Sequence, residues 1–443
     1  MYTFGLVCLL LVFAATLWGG LIAGPQRLVP FLIFVQTMIL PAGIVLQVSG
    51  LPDIDKVTAI TLPALLLMFV TPRERWARYR AAWPDAFLYL LVVWAFFSVL
   101  LNNGPYQALS RLLLLIATLI VPYVAGRLYL CTSEDLHAFV KAVVPLVVLY
   151  AVGMALEARL QPFFSEVLFG VWAPAHERLG LFRPVMLASG SLELGHYMVL
   201  AVIVLAGAWR GWRGLDQPIP RALPIGALAA GLAACLSVSR GPVIGLLLAL
   251  VTPRVLRETR WLGTVLGVGG LVFFLWMLGP TVTGAEIAAF FGGEAAMTDG
   301  TYSQTVGYRF LQIDAFEPLV NSRPWLGWGE SFERSGDIVI VDGILLIYAL
   351  LYGYPGAVLL MAFWTSVAFY IGRAAYRGNS PYAHIGQLLA PVIGWLAFSA
   401  WGDSFLREPH LLIMSAVVGV MVAERRLARP LMQPLRRMVF VSG

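Results

Sequence analysis

The sequence predicts an all-α fold, a polytopic helical integral membrane protein with about 12–13 transmembrane helices and a long extracytoplasmic loop. Composition is the first reason. Of 443 residues, 60% are hydrophobic and 12% are charged, and mean hydropathy is +0.82. A soluble domain carries about 25% charged residues. Segmentation is the second. Apolar runs recur along the chain, each near the roughly 20 residues that a crossing helix needs, and strict barrel-type alternation is absent. Sidedness is the third. The arginines fall in clusters separated by even numbers of apolar runs, as the positive-inside rule asks of cytoplasmic connections.

Taken in order, the expected spans are 3–22, 28–48, 56–71, 85–101, 110–130, 136–157, 192–209, 221–238, 241–256, 260–279, 342–372, 384–402 and 408–424. The stretch from Met1 to Gly20 has no basic n-region and no small-x-small cleavage site, so it reads as a retained span. The ninth span is short, and is either interfacial or broken. Arg73, Arg75, Arg78 and Arg80 crowd one connection, Arg210, Arg213 and Arg221 another, and Arg254, Arg257 and Arg260 a third. Arg373 and Arg377 follow the eleventh span, and Arg425, Arg426, Arg429, Arg436 and Arg437 lie in the tail. Thirteen alternating spans put all five clusters and the C-terminus on the cytoplasmic side and the N-terminus outside.

The spans make one bundle. Its parts along the chain are 1–279, with an outer loop at 158–191; the extracytoplasmic loop 280–341, with short helices; and 342–443, the last helices and a basic tail. Of 30 basic residues only Lys56 and Lys141 are lysine. The net charge of +6 reads as cytoplasmic loops and not as a nucleic-acid surface. Cys8, Cys131 and Cys235 suggest neither a disulfide framework nor a metal site.

In so apolar a chain, the stretch from Pro280 to Gly356 is the largest place for aqueous chemistry, and it reads as carrying part of an active site. Just before it, Ser239-Arg240-Gly241 sits between two apolar runs. An arginine there either faces a cavity, where its planar fork suits a phosphate, or snorkels at a span end. Arg309 and Tyr308 lie on a short amphipathic helix with Leu311 and Phe316; Arg309 either reaches inward or pairs with Asp314 or Glu317. Asp342 opens the next span as a helix cap or as a functional carboxylate. In the other outer loop, Arg178 and Arg183 add positive charge, and Glu193 and His196, three apart, share a helix face. There is no Walker loop, zincin motif, CxxC or nucleophile elbow, and Gly327-Trp328-Gly329 is too short for a nucleotide fingerprint.

Together these pieces resemble the O-antigen ligase and polymerase superfamily of bacterial envelopes. The pieces are Ser239-Arg240-Gly241 at a span end, Arg309 before an aromatic-rich helix, Pro324 with Gly327 and Gly329, and Asp342 with Gly353 and Gly356 eleven residues on. The family's earlier motif, R-x-x-G-x-F-x-x-P, has its residue types at Arg178, Gly180, Phe182 and Pro184, with spacing one residue tighter on each side. The resemblance covers roughly 178–356. It implies a glycosyltransferase of the bacterial cytoplasmic membrane that takes a glycan from undecaprenyl diphosphate at the outer face. It implies no metal or other cofactor, and as partners the bilayer, the lipid-linked glycan, and the chain-length regulator and flippase of a polysaccharide pathway. It assigns the diphosphate to Arg240 and Arg309 and the base to Asp342. Ser239, Gly241, Arg178, Arg183, Tyr308, Gly327, Gly329, Glu193 and His196 would bind substrate. In ligases this helix opens with His-Asn or His-Ser; Asp342-Gly343 stands here instead, which favours a repeat-unit polymerase over a lipopolysaccharide ligase. A protein glycan ligase would use the same chemistry. The rival class is a transporter or flippase, against which stand the long outer loop, the lack of inverted repeat halves and the lack of a Gly/Pro-broken helix pair.

Overall fold

The computed structural model describes residues 2–41, 43–46, 53–161, 164–171, 177–178, 181–213, 221–255, 306–329, 343–375, 380–399 and 408–427. Of these, 83% are α-helical. The helices are α1 (Tyr2–Ala23), α2 (Pro25–Val35), α3 (Thr58–Phe69), α4 (Arg73–Arg78), α5 (Trp83–Asn103), α6 (Pro105–Leu115), α7 (Val121–Tyr129), α8 (Ser133–Leu160), α9 (Phe164–Phe169), α10 (Ser191–Arg213), α11 (Ala222–Leu236), α12 (Arg240–Val255), α13 (Val306–Ser322), α14 (Ile344–Ala375), α15 (Pro381–Ser399) and α16 (Glu408–Leu427). Two short strands, β1 (Glu177–Arg178) and β2 (Leu181–Phe182), pair antiparallel.

Six helical stretches among the described residues are long and apolar enough to cross a membrane: Phe4–Ala23, Trp83–Asn103, Pro105–Tyr129, Ser133–Leu160, Ser191–Arg213 and Ile344–Ala374. The chain is an all-α polytopic membrane protein. The remaining apolar helices are shorter, which corrects the expected spans in two places. The run 28–48 is not one helix: α2 stops at Val35, a tight turn covers Gln36–Met38, and Leu46 pairs with Ile54. The run 342–372 is helical from Ile344 but interrupted at Gly353. The expected span 260–279 and the basic tail lie outside the described residues.

Helix α10 is the axis of the bundle, with 89% of its apolar window buried, against 17% for α1 at the periphery. Close backbone approach sets its packing. A Cβ on Gly207 would meet Ile385 backbone at 2.8 Å, and one on Gly211 would meet Pro381. Small residues at helix crossings do this routinely in membranes. The rod Pro105–Tyr129 carries a π-helical turn at Ile116–Ile120. Pro122 follows it; a proline cannot donate to the carbonyl four residues back and crowds it, so the preceding turn widens. One core joins residues from Val29 to Met421, and Phe316 and Val320 of α13 belong to it.

The two ends of the bundle differ. At one, Arg75 pairs with Asp135 at 3.0 Å, and the buried Arg127 pairs with Asp85, which also accepts from Tyr123 Oη at 2.7 Å. Tyr382 Oη donates to Leu130 and Thr132 carbonyls at 2.9 and 2.8 Å. Arg73, Arg78 and Arg80 lie on the same connections. At the other end lie Phe4 against Phe169, 6.0 Å between ring centres, and the loop that runs into α10.

Candidate functional site

The candidate site is built at that second end, where α10, α11, α12 and the loop 183–190 meet. Helix α10 brings Glu193 and His196, both buried as their shared face suggests. Glu193 Oε2 accepts from Ser189 N at 3.0 Å and from the Ser189 hydroxyl, the reach-back of a carboxylate in a first helical turn. Glu157, buried at the end of α8, accepts from Met186 N at 2.7 Å, Val185 N at 2.8 Å and Phe164 N at 3.2 Å. Tyr150 Oη accepts from Leu187 N at 3.1 Å, and Lys56 Nζ donates to Leu187 O at 3.1 Å. The loop is therefore held together from the turn before α3, from α8 and from α10. A backbone polar group at this depth needs such partners, since lipid supplies none.

Held this way, the loop aims Arg183 at the Ser-Arg-Gly triplet. Arg183 Nη2 donates to Ser239 Oγ at 2.6 Å, and its Nε lies 3.4 Å from Ser237 O. Ser239 is buried, and Arg240, the first residue of α12, is exposed. A Cβ on Gly241 would stand 3.0 Å from His196 Nε2, so glycine lets α12 start against the imidazole. The structure thus brings together Arg183, Glu193, His196, Ser239, Arg240 and Gly241, six residues that the sequence singled out. The Arg183 guanidinium on a serine hydroxyl at the start of α12, with the exposed Arg240 next in sequence, is an arrangement suited to an anion. Arg178 is placed on β1, which leads into this loop.

Other expected residues lie elsewhere or outside the described residues. Tyr308 and Arg309 belong to the first turns of α13. Asp342 lies outside the described residues. Gly327 and Gly329 lie in a loop that packs on α14. Both have positive φ, 64° and 69°, and their loop docks on the break in α14. At Gly353 (φ 71°, ψ −177°) the helical ladder stops, which frees carbonyls. Trp328 N and Gly329 N donate to Leu350 O and Leu351 O at 2.9 and 2.8 Å, Trp94 Nε1 to Tyr352 O at 2.8 Å, and Tyr354 N to Pro324 O at 2.8 Å. Ser98 and Asn102 of α5 complete the seam through Leu326 O and Gly327 O. The expected span 342–372 is broken here, and the break is tolerated because loop 324–329 supplies the bonds it removes.

Sequence reading passed over Lys56, Tyr150 and Glu157, and also Arg111 and Arg323. Arg111 sits inside the apolar rod that begins at Pro105, and donates to the Tyr352 hydroxyl at the break. A charged residue inside an apolar run was the available signal for Arg111. Among the described residues no group of three or more His, Cys, Asp or Glu is placed to hold a metal ion. In comparisons with known proteins, no family model and no curated protein matches the chain.

Proposed function

We propose that this protein is a membrane glycosyltransferase that polymerises undecaprenyl-diphosphate-linked oligosaccharide units into a surface polysaccharide, at the outer face of the bacterial cytoplasmic membrane. The observation that supports this most is the Arg183–Ser239 bond beside Arg240, at the end of the bundle away from the paired arginine connections. In the reaction the bond between the anomeric carbon and the phosphate oxygen breaks, and the acceptor oxygen bonds to that carbon. The hydroxyl proton passes to a base, and the diphosphate leaves on its lipid. Arg183 and Arg240 would stabilise the developing phosphate charge from fixed positions, with Arg309 joining them. Asp342 would serve as the base, with Glu193 and His196 next in line. A ligase of the same family would differ in its acceptor only.

One observation favours a second reading, of another class. Broken helices are common in transporters, and α14 is broken. Loop 324–329 fills that break, which suits a fixed scaffold better than a moving gate.

Purified protein in lipid vesicles, given a lipid-linked repeat unit, separates the two. The expected products are a lengthened glycan and free undecaprenyl diphosphate. Arg183→Lys and Arg240→Lys should each lower the rate by about 10²-fold in a folded protein, because a point charge lacks the planar fork. Passage of intact lipid-linked glycan across a vesicle, with no new glycosidic bond, would assign the chain to the transporters.

A further inference from the structure

The end of the bundle away from the Arg183–Ser239 site carries a basic, aromatic surface around α4. Helix α4 and the turn after it are tied to the bundle from one side. Arg75 donates to both oxygens of Asp135, at 3.0 and 3.3 Å. Trp76 Nε1 donates to Met68 O, in the last turn of α3, at 3.1 Å. The Arg127 guanidinium donates to Arg80 O, and Asp85 Oδ2 accepts from Ala82 N at 2.6 Å. Residues 71–84 hold four arginines and one acid, Glu74. The acids that bond this segment, Asp135 and Asp85, are already paired with Arg75 and Arg127. Arg73, Arg78 and Arg80 stay exposed, and so does Trp76.

Helix α5 shows where this surface lies in the bilayer. Its exposed side chains Trp83, Leu90, Val93, Phe97 and Leu101 recur at helical spacing and share one face. On a helix that crosses a membrane, such an apolar face meets lipid. From Trp83 to Leu101, at 1.5 Å per residue, that face is about 27 Å long, close to the roughly 30 Å of the hydrocarbon core. Trp83, 70% exposed, therefore stands at the level of the headgroups, where Trp and Tyr collect. Arg80 precedes it by three residues. The Tyr79 hydroxyl, between Arg78 and Arg80 in sequence, bonds that of Tyr89 on α5 at 3.2 Å, which draws the arginine segment to the same level. Guanidinium groups held there meet phosphate, and a basic segment next to a crossing helix attracts acidic lipid.

We propose that Arg73, Arg78 and Arg80, with Trp76 and Trp83 at the rim, form a surface that gathers acidic phospholipids from the leaflet it meets. It acts along several headgroups and not as a pocket for one, and it plays no part in glycan transfer.

Energy transfer in reconstituted vesicles tests this. The donor is a fluorophore on Ala77→Cys, at an exposed position of α4, in a chain whose Cys8 and Cys235 are replaced by alanine. The acceptor is carried on an acyl chain of either phosphatidylglycerol or phosphatidylcholine, diluted in phosphatidylcholine. Transfer should be greater to phosphatidylglycerol, and this preference should fall about fivefold for each arginine removed in Arg73→Gln, Arg78→Gln and Arg80→Gln. A donor on Arg159→Cys, exposed at the other end of α8, should show no preference. Added salt should erase the preference in the wild-type surface, which keeps the test decisive if the combined variant fails to fold. Equal transfer to both lipids overturns the proposal, as does a preference that survives loss of the three arginines or high salt. Displacement of phosphatidylglycerol by soluble poly-glutamate at equal charge also overturns it, by assigning the surface to an acidic protein partner.

Discussion

At the scale of single residues, the site depends on a carboxylate that does no chemistry. Glu157 spends both oxygens on three backbone N–H groups of the segments around Phe164 and Met186. Glutamine has one acceptor oxygen and an amide that can only donate, so Glu157→Gln sets a donor against a buried donor. Each buried N–H left unpaired costs about 1–3 kcal/mol. The variant should therefore unfold at a lower temperature in detergent, and glycan transfer should fall with it, because loop 183–190 carries Arg183. An unchanged unfolding temperature would show that Tyr150, Lys56 and Glu193 hold the loop without it. Glu193, His196, Arg183 and the Ser-Arg-Gly triplet were legible in the sequence because charge in an apolar chain stands out. Glu157 and Lys56 were not, since their partners are backbone groups, most of them 28 to 131 residues away in sequence.

At the scale of elements, two glycine motifs that read as separate are the two halves of one joint. Gly353 adopts a backbone conformation that is essentially glycine's alone. An added Cβ would also run into Trp325 O, and would stand 2.6 Å from Pro324 O. Gly353→Ala should cost at least about 1–3 kcal/mol of strain and push loop 324–329 off α14. Gly231, inside α11, is the comparison. A Cβ there meets only Val202 Cγ2 at 3.8 Å, and Gly→Ala in a helix interior gains about 0.5–1 kcal/mol. Size-exclusion profiles and unfolding temperatures should move in opposite directions for the two variants. Equal behaviour would remove the joint as a structural constraint. Apolar periodicity located the helices because burial sets it, but it is blind to a break whose bonds are made up by a distant loop. The same blindness hid the end of α2, where Gln36 leaves the helix and donates to Glu408 Oε2 at 2.7 Å from the far end of the chain.

At the scale of the whole molecule, the order of the helices puts the arginine-rich connections at one end and the candidate site at the other. The ion pair of Arg75 with Asp135 and the Tyr382 bonds tie together the connections that the sequence grouped by charge. The orientation we propose follows the positive-inside rule: those connections would face the cytoplasm, and the Arg183–Ser239 pair would face outward. A lipid-linked donor presented outside requires this orientation, so sidedness bears on the function as well as on the fold. Cysteines placed at Glu294 and Ser331, and one at Glu74 on the exposed surface of α4, test it in intact spheroplasts with an impermeant thiol reagent. Cys8 and Cys235 would be replaced by alanine. Cys131 can stay, because burial and then the charge of Asp135 push its thiol pKa up and leave little reactive thiolate. The first two positions should label in intact cells, and the position at Glu74 only after permeabilisation. The reverse pattern would turn the molecule over, place Arg183, Ser239 and Arg240 on the cytoplasmic side, and remove the basis for an extracytoplasmic glycan transfer.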